Sequence, residues 1–430
     1  MAVSEIGFNT TDLAALQAAC PQPRVDTLKI LYHHRIASKD GQAVHVESIL
    51  AALRRNGDAV HVVSPPSFDK VGFGAQATWL TRLRQALPRA VYELLEICYN
   101  VPVLWRLRRA INRVRPDLIY ERYNLFVVAG VLVARLHKIP IFLEINAPIA
   151  QERAAYGGLS LASLATWIER RTWRAADFVL PVSHVLAEIV RQAGVPAERV
   201  SVIPNGIEDE NFNVPSLREA KEALGLQGKT VLGFVGFIRE WHGLADVLDL
   251  LVDPRCPPEA HLLVVGDGPA LPDLKRSAEQ LGIAQRVTFA GLVDRTRLTA
   301  HVAAFDIALQ PKAVGYASPL KIFEYMAAGK AIAAPDQANI REILTQGESA
   351  LLFDSADPAA FREAVLRLVS DPALRARLGA RARSVILERR YTWDENARRI
   401  GSLHARIAGE RGTGERETRE AVPQPQPSSR

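Results

Sequence analysis

Cysteine is scarce: Cys20, Cys98 and Cys256 are the only three in 430 residues, and they lie far apart with no paired spacing. That excludes a disulfide framework and a cysteine-based zinc site, and ordinary reduced thiols are expected. Long apolar runs are missing too, so nothing approaches the ~20 residues that a membrane-spanning helix needs. The head, MAVSEIGFNTTDLAALQAACPQPR, lacks a basic start followed by an apolar core. It does not read as a signal peptide, and the expectation is a chain that stays in the cytoplasm. No DxD-like pair stands in a loop suited to a metal, because EDEN at 208–211 reads as a solvated turn. Neither a metal nor a cofactor is expected. The net charge of +6 comes without a nucleic-acid recognition motif, so nucleic acid is not an expected partner.

What is present is a chain with 48% hydrophobic and 23% charged residues, long enough for two cores of similar size. LKILYHH reads as a buried strand, QAVHVESILAALRRNG as an amphipathic helix closed by Gly57, and DAVHVVSPP as the next strand. A strand, helix, strand unit of this kind signals a parallel, doubly wound sheet. The alternation continues to DFVLPVSH, breaks in a polar stretch, and resumes at KTVLGFVGF. The boundaries read as a poorly ordered head at 1–24, a first domain at 25–207, a linker at 208–226 and a second domain at 227–385. Residues 386–408 continue as helix, and 409–430, polar and Pro-rich, read as disordered. Two such sheets turn their strand C-termini toward a shared cleft.

Positive charge concentrates at 79–115, where Arg82, Arg84, Arg89, Arg106, Arg108, Arg109, Arg113 and Arg115 face only Glu93 and Glu96. Trp79, Leu83, Leu94, Leu95 and Trp105 run through the same stretch, so it could form basic amphipathic helices that touch an anionic membrane. The alternative is arginines that solvate ordinary helices.

The stretch ASPLKIFEYMAAGKAIAAP, residues 317–335, carries the densest chemistry. Ser318 suits an N-cap and Pro319 the first helical position. Gly329 suits the terminator, and a short buried strand follows, stopped by Pro335. The free N–H groups of Leu320 and Lys321, at the positive end of the helix dipole, make an anion site. Glu324 leans toward that end, and a carboxylate suits a sugar diol. Phosphate beside ribose is a nucleotide; a capped surface helix is the plain alternative.

In order along the chain, IPNGI, GFVGFIREWHG, VVGDGP, VTFAGLV and SPLKIFEYMAAGK resemble the retaining glycosyltransferases of family four, over about residues 27–405. The resemblance implies a GT-B fold: two Rossmann-like domains, the first for the acceptor, the second for a nucleotide-sugar donor. The segment YTWDENARRIGSLHARIA is similar to the one that crosses back onto the first domain. Activity would be sugar transfer to a glycan or lipid-linked acceptor, as in bacterial cell-surface polysaccharide or glycolipid synthesis. Glu324 falls on the family's ribose-binding glutamate, and donor contacts are implied for Gly41, Gly236, Arg239, His242, Gly266, Ser318, Leu320 and Lys321.

Three departures accompany it. The family's first glutamate, with seven residues between it and the second, is replaced by Tyr316. Phe237 and His242 stand where many relatives have arginine and lysine. Asn146 replaces a histidine near the reacting carbon, with Glu144 two residues earlier on the same strand face. Arg239 is the favoured diphosphate clamp, since it stays charged and binds phosphate through two parallel bonds. His242 could assist if protonated or could simply pack beside Trp241. Glu144 could orient or deprotonate an acceptor, or pair with a nearby arginine, while Asn146 could only position it. His33 and His34 could touch the acceptor or sit in the rim. A non-catalytic nucleotide-sugar-binding or partner protein is the competing reading. A sugar epimerase lacks support from SPLKIFEYMAAGK, and a dehydrogenase lacks the glycine-rich turn after the first strand.

Overall fold

The computed structural model describes residues 27–36, 41–65 and 87–420. The head at 1–24, the loop residues 37–40, the arginines and Trp79 within 66–86, and the last ten residues of the tail lie outside them. In the first half, β1 (Lys29–His33), β2 (Ala59–Val63), β3 (Leu118–Arg122), β4 (Ile141–Ile145) and β5 (Phe178–Pro181) pair in parallel, in the order β2-β1-β3-β4-β5. β1, β3, β4 and β5 are buried almost throughout, as strands covered by helices on both faces must be. Strand order reverses between β1 and β3, so the crevice beyond their C-terminal ends is where a ligand fits this topology.

The helices that matter for the site are α1 (Gly41–Arg55), α2 (Arg89–Cys98), α3 (Asn100–Val114), α4 (Ala129–His137), α5 (Ala162–Ala175) and α6 (His184–Gln192). α1 ends at Gly57, whose φ of +91° is open to glycine. Asn100, the first residue of α3, accepts through Oδ1 from the N–H groups of Val128 and Ala129 and so caps the start of α4.

The second half repeats the scheme with β6 (Thr230–Val235), β7 (Ala260–Val265), β8 (Val287–Gly291), β9 (Ile307–Leu309), β10 (Ala331–Pro335) and β11 (Leu351–Phe353). Their order, β11-β10-β9-β6-β7-β8, is all parallel and reverses between β6 and β9. α7 (Arg295–Ala303) and α8 (Leu320–Ala327) flank that reversal. Ile322, Phe323, Tyr325 and Met326 anchor α8 in the core, which fixes the direction in which its first turn points.

Residues 208–226 are not an open linker. They hold a helix, Leu217–Leu224, with a capping box between Ser216 and Glu219, and Phe212, Ala220 and Leu226 are buried in the second domain's core. The last helix, α9 (Trp393–Glu420), sends Trp393, Ala397, Ile400 and Ile407 into the first domain's core. It runs past 408, so helix occupies the start of the segment whose composition reads as disordered. The crossing back passes over IPNGI: Ile207 N–H donates to Tyr391, and Trp393 N–H returns a bond to Ile207. A Cβ on Gly206 would stand 2.7 Å from the backbone of Thr392 and Trp393, which is why glycine is needed there.

Candidate active site

Two glycine turns form the floor of the second-domain site. After β6 and β7 the chain turns at Gly236 (φ +145°) and Gly266 (φ +130°), and a Cβ on Gly266 would land on the carbonyl of Gly236. Backbone therefore lies against backbone there. α8 projects Lys321 toward the same turn. Its Nζ lies 3.8 Å from the centre of the Phe234 ring and close to Gly236, and it has no hydrogen-bond partner among the described residues. Burial pushes this ammonium down to about 7, with Glu324 pulling the other way. Glu324, three residues on and so on the same side of α8, is pushed up to about 7 by burial against the pull of Arg295 and Lys321.

Arg239 is exposed in the turn after β6, its guanidinium 5.0 Å from the Phe237 ring, free of any ion pair among the described residues. His242 is not a second cation. Burial, then Lys321 and Arg239, hold its ring down at about 3, so it is neutral. Its Nδ1 accepts the N–H of Arg239 at 3.1 Å, and its ring packs 3.9 Å from Trp241. It positions the turn that carries Arg239.

The first turn of α8 is built differently from the sequence reading. Pro319 is the N-cap, and Ser318 lies one residue outside the helix, where its Oγ accepts from Asn205 N–H at 3.3 Å and its carbonyl accepts from Asn205 Nδ2. Ser318 thereby joins the domains at the entry of α8. Leu320 packs its side chain on the first domain's core, and its N–H and that of Lys321 have no acceptor among the described residues, as is usual for the first-turn donors of a helix.

Glu144 is likewise redirected. It is buried, and its two oxygens take bonds from Tyr120 Oη (3.0 Å), Arg122 Nη1, His45 Nε2 (3.0 Å) and Asn146 Nδ2 (2.6 Å). Burial alone would raise its pKa, but His45 and Arg122 hold the carboxyl well below the usual range. A carboxylate so engaged is a counter-ion and no base, so the pairing with arginine is the reading the geometry supports. Asn146 is half-buried at the strand end. His45 continues the chain: its Nδ1 lies 2.7 Å from Asn205 Oδ1. Because Asn205 donates through Nδ2 to Ser318, its Oδ1 must accept, and both His45 nitrogens therefore face acceptors. One buried network thus runs from Arg122 through Glu144, His45 and Asn205 to the entry of α8. Sequence reasoning missed Arg122, His45 and Asn205, although Asn205 stood within IPNGI.

His33 ends β1 with Nδ1 2.6 Å from the fully buried Glu121, and Ile36 N–H donates to His34 Nδ1. Burial, then the neighbouring His33, pushes His34 down to about 4. Gly41 opens α1 with clear space around it. Across the cleft, Arg295 donates to Ser48 Oγ (2.8 Å), Ser183 Oγ to the carbonyl of Tyr316 (2.7 Å), and the N–H groups of His184 and Val185 to Glu342. Tyr316 packs on the first domain's core. A cavity of about 360 Å³ lined by Ser183, Asn339, Glu342, Arg389 and Tyr391 lies between the domains but does not include Lys321, Glu324 or Arg239.

Comparison with known proteins matches both halves. Residues 39–211 match the family model Glycosyltransferase Family 4, and residues 217–385 match Glycosyl transferases group 1. The D-inositol 3-phosphate glycosyltransferase of Xylanimonas cellulosilytica is 27% identical over 69% of this chain and 73% of its own. The phosphatidyl-myo-inositol mannosyltransferase of Mycobacterium leprae is 30% identical over 48% of this chain and 53% of its own. Among solved structures, Anabaena HepE in complex with UDP-glucose superposes with a TM-score of 0.68 at 19% identity, over 88% of this chain and 99% of that one. With the two sheets facing across a cleft and both halves matched in tandem, the chain belongs to the family-four, group 1 glycosyltransferases of GT-B fold, which take their sugar from a nucleotide-sugar donor.

Proposed function

We propose that the protein is a retaining hexosyltransferase that moves a sugar to a glycan or lipid-linked acceptor, in bacterial cell-surface polysaccharide or glycolipid synthesis, at the inner face of the cell membrane. The observation that carries the reading is the Lys321 ammonium, which lacks an acceptor among the described residues and sits beside the Gly236 turn with Arg239 in the same loop. A diphosphate supplies the missing acceptor. As the bond to the donor sugar breaks, negative charge grows on the leaving diphosphate, and fixed donors aimed at it lower the barrier. Arg239, Lys321 and the first-turn N–H groups of α8 fill that role, Glu324 accepts from the ribose, and Asn146 positions the acceptor from the other side. No divalent ion has a part in this scheme, so turnover after exhaustive chelation is expected to equal that of untreated protein. Complete loss on chelation, restored by a divalent ion, would sink that part.

Tyr316 favours a second reading. A tyrosine docked on the first domain stands where the family carries its first glutamate, as in a protein that binds a nucleotide sugar without turning it over. A thermal-shift screen against UDP, GDP, ADP and TDP and their sugars, followed by release of free nucleotide, separates the two. UDP, held by the Anabaena neighbour, is the first to try. A nucleotide at a hundred times its Kd is expected to stabilise the protein by ~2.7 kcal/mol, and Glu324→Ala is expected to lose that shift. Binding without nucleotide release in the presence of cell-envelope acceptors would favour the second reading.

A further inference from the structure

α2 is built inside out. The one side chain it buries is Glu93, which accepts the N–H groups of Ser160 (2.8 Å) and Leu161 (2.7 Å) at the start of α5. Ile97 packs inward, but three other apolar side chains point outward: Leu94 is 50% and Leu95 45% exposed, with Val91 at 43%. The stripe does not stop at the break after Cys98. Val101, 72% exposed, and Trp105, 63% exposed, continue it along α3 at helical spacing. α5, whose start is held by Glu93 of α2, also exposes Leu164 and Trp167, the latter by 60%. Single exposed leucines need no explanation, but an aligned apolar row on neighbouring helices marks an interaction surface.

Charge selects the partner. Arg108 and Arg109 are exposed along α3, and the Arg109 guanidinium lies 5.6 Å from the Trp105 ring. α3 has no acidic residue, and α2 has only Glu93 and Glu96. Glu93 is buried, and Glu96 pairs with Arg153 (2.8 Å) and Arg35 (3.6 Å). The face is thus apolar, aromatic and positive, with its carboxylates turned inward. That is the make-up of a surface that lies in the headgroup region of an anionic bilayer, aromatic rings at the interface and arginines among the lipid phosphates. None of the helices in the described residues is long and apolar enough to cross a membrane, so contact of this kind is superficial.

We propose that the α2–α3 face, extended by Leu164 and Trp167, docks on an anionic lipid bilayer and sets the first-domain side of the cleft against it. Arg35, in the loop after β1, stacks 4.8 Å over Tyr99 at the α2–α3 break and pairs with Glu96, so the docked face is joined directly to the loop at the end of β1. A lipid-borne acceptor would arrive at that loop from the membrane. This deepens the reading of a lipid-linked acceptor, and rests on it only for that last step.

The test is flotation of the full chain with vesicles of phosphatidylcholine alone or with a third of phosphatidylglycerol, at low and high salt. The wild type is expected to float with the anionic vesicles only, and less at high salt. Each arginine near such a surface contributes about fivefold to affinity, so Arg108→Glu/Arg109→Glu is expected to weaken binding at least about 25-fold. Leu94→Glu/Leu95→Glu should do so with its arginines intact. Both variants alter exposed positions away from α8, so their nucleotide thermal shifts are expected to match the wild type, which keeps a docking failure distinct from a donor-site failure. Equal flotation with neutral vesicles, or none with anionic ones, overturns the proposal. A dimer in light scattering that Leu94→Glu/Leu95→Glu dissolves would give the face to a second copy and overturn it as well.

Discussion

Replacing Lys321 by methionine is expected to cut kcat about 100- to 1,000-fold, the usual loss when one preorganised donor to a developing anion is removed, and at the same time to raise the melting temperature. The two effects have one cause. In the free protein the ammonium is out of solvent over the Phe234 ring with no acceptor among the described residues, and such a group costs stability. Methionine keeps the stem and its packing and removes the charge. The pH dependence gives the sign. Burial has lowered the folded lysine from 10.5 to about 7, so between those values the unfolded chain holds a proton that the native state does not. Stability therefore rises with pH across that window. The gain from Lys321→Met should be largest below pH ~7 and fade toward pH ~10. Nucleotide affinity has the opposite slope. A diphosphate favours the protonated lysine, so binding above pH ~7 takes up a proton and affinity falls by up to about tenfold per pH unit. Calorimetric titration with UDP over that range checks it. A slope retained in Lys321→Met would assign it to another group.

Glu144→Ala is expected to cost about 3–5 kcal/mol of stability, because removing one partner of a buried ion pair leaves the rest without a counter-charge. Arg122 is only 8% exposed and His45 5%, so neither can turn to water. A catalytic base would behave in the reverse way, losing turnover while the fold stood. Denaturant melts with kcat measured on the folded fraction separate the two, and Glu144→Gln, which keeps shape but not charge, should lie between wild type and Glu144→Ala. Since His45 and Arg122 hold the native carboxyl below its ordinary 4.5, the stabilisation is fully present above that value. It should drain away as pH falls below it, toward the native value. Glu144→Ala should therefore lose most of its difference from wild type in acid. The network ends at Ser318, so a weaker nucleotide shift should accompany the loss of stability.

The fold was legible because its signals are local. Burial on both faces makes the strand runs continuous, as in LKILYHH and AHLLVV, and glycines such as Gly57 stop helices by their own backbone freedom. The placement of Lys321 and Glu324 on one side of α8 was legible for the same reason, since three residues along a helix is a fixed geometry. Two local signals misled. SPLK reads as serine cap then proline, but Asn205, 113 residues away, claims Ser318 and moves the cap to Pro319. EDENF and the polar residues after it read as a linker, but Phe212, Ala220 and Leu226 find a core that composition alone does not reveal.

By itself, then, the sequence determined the two parallel sheets, their order along the chain, the helix-then-strand reading of 320–335 and the family. Periodicity, turn residues and ordered motifs are properties of neighbouring positions. The tertiary structure alone decided the charges. It made Glu144 a counter-ion by bringing Arg122 and His45 to it from β3 and α1, and it made His242 neutral by burying it beside Lys321 and Arg239. It also turned α2 inside out, because Glu93 had the start of α5 to cap. Desolvation and ion pairing depend on what lies within a few ångströms in space, and those neighbours are distant in the chain.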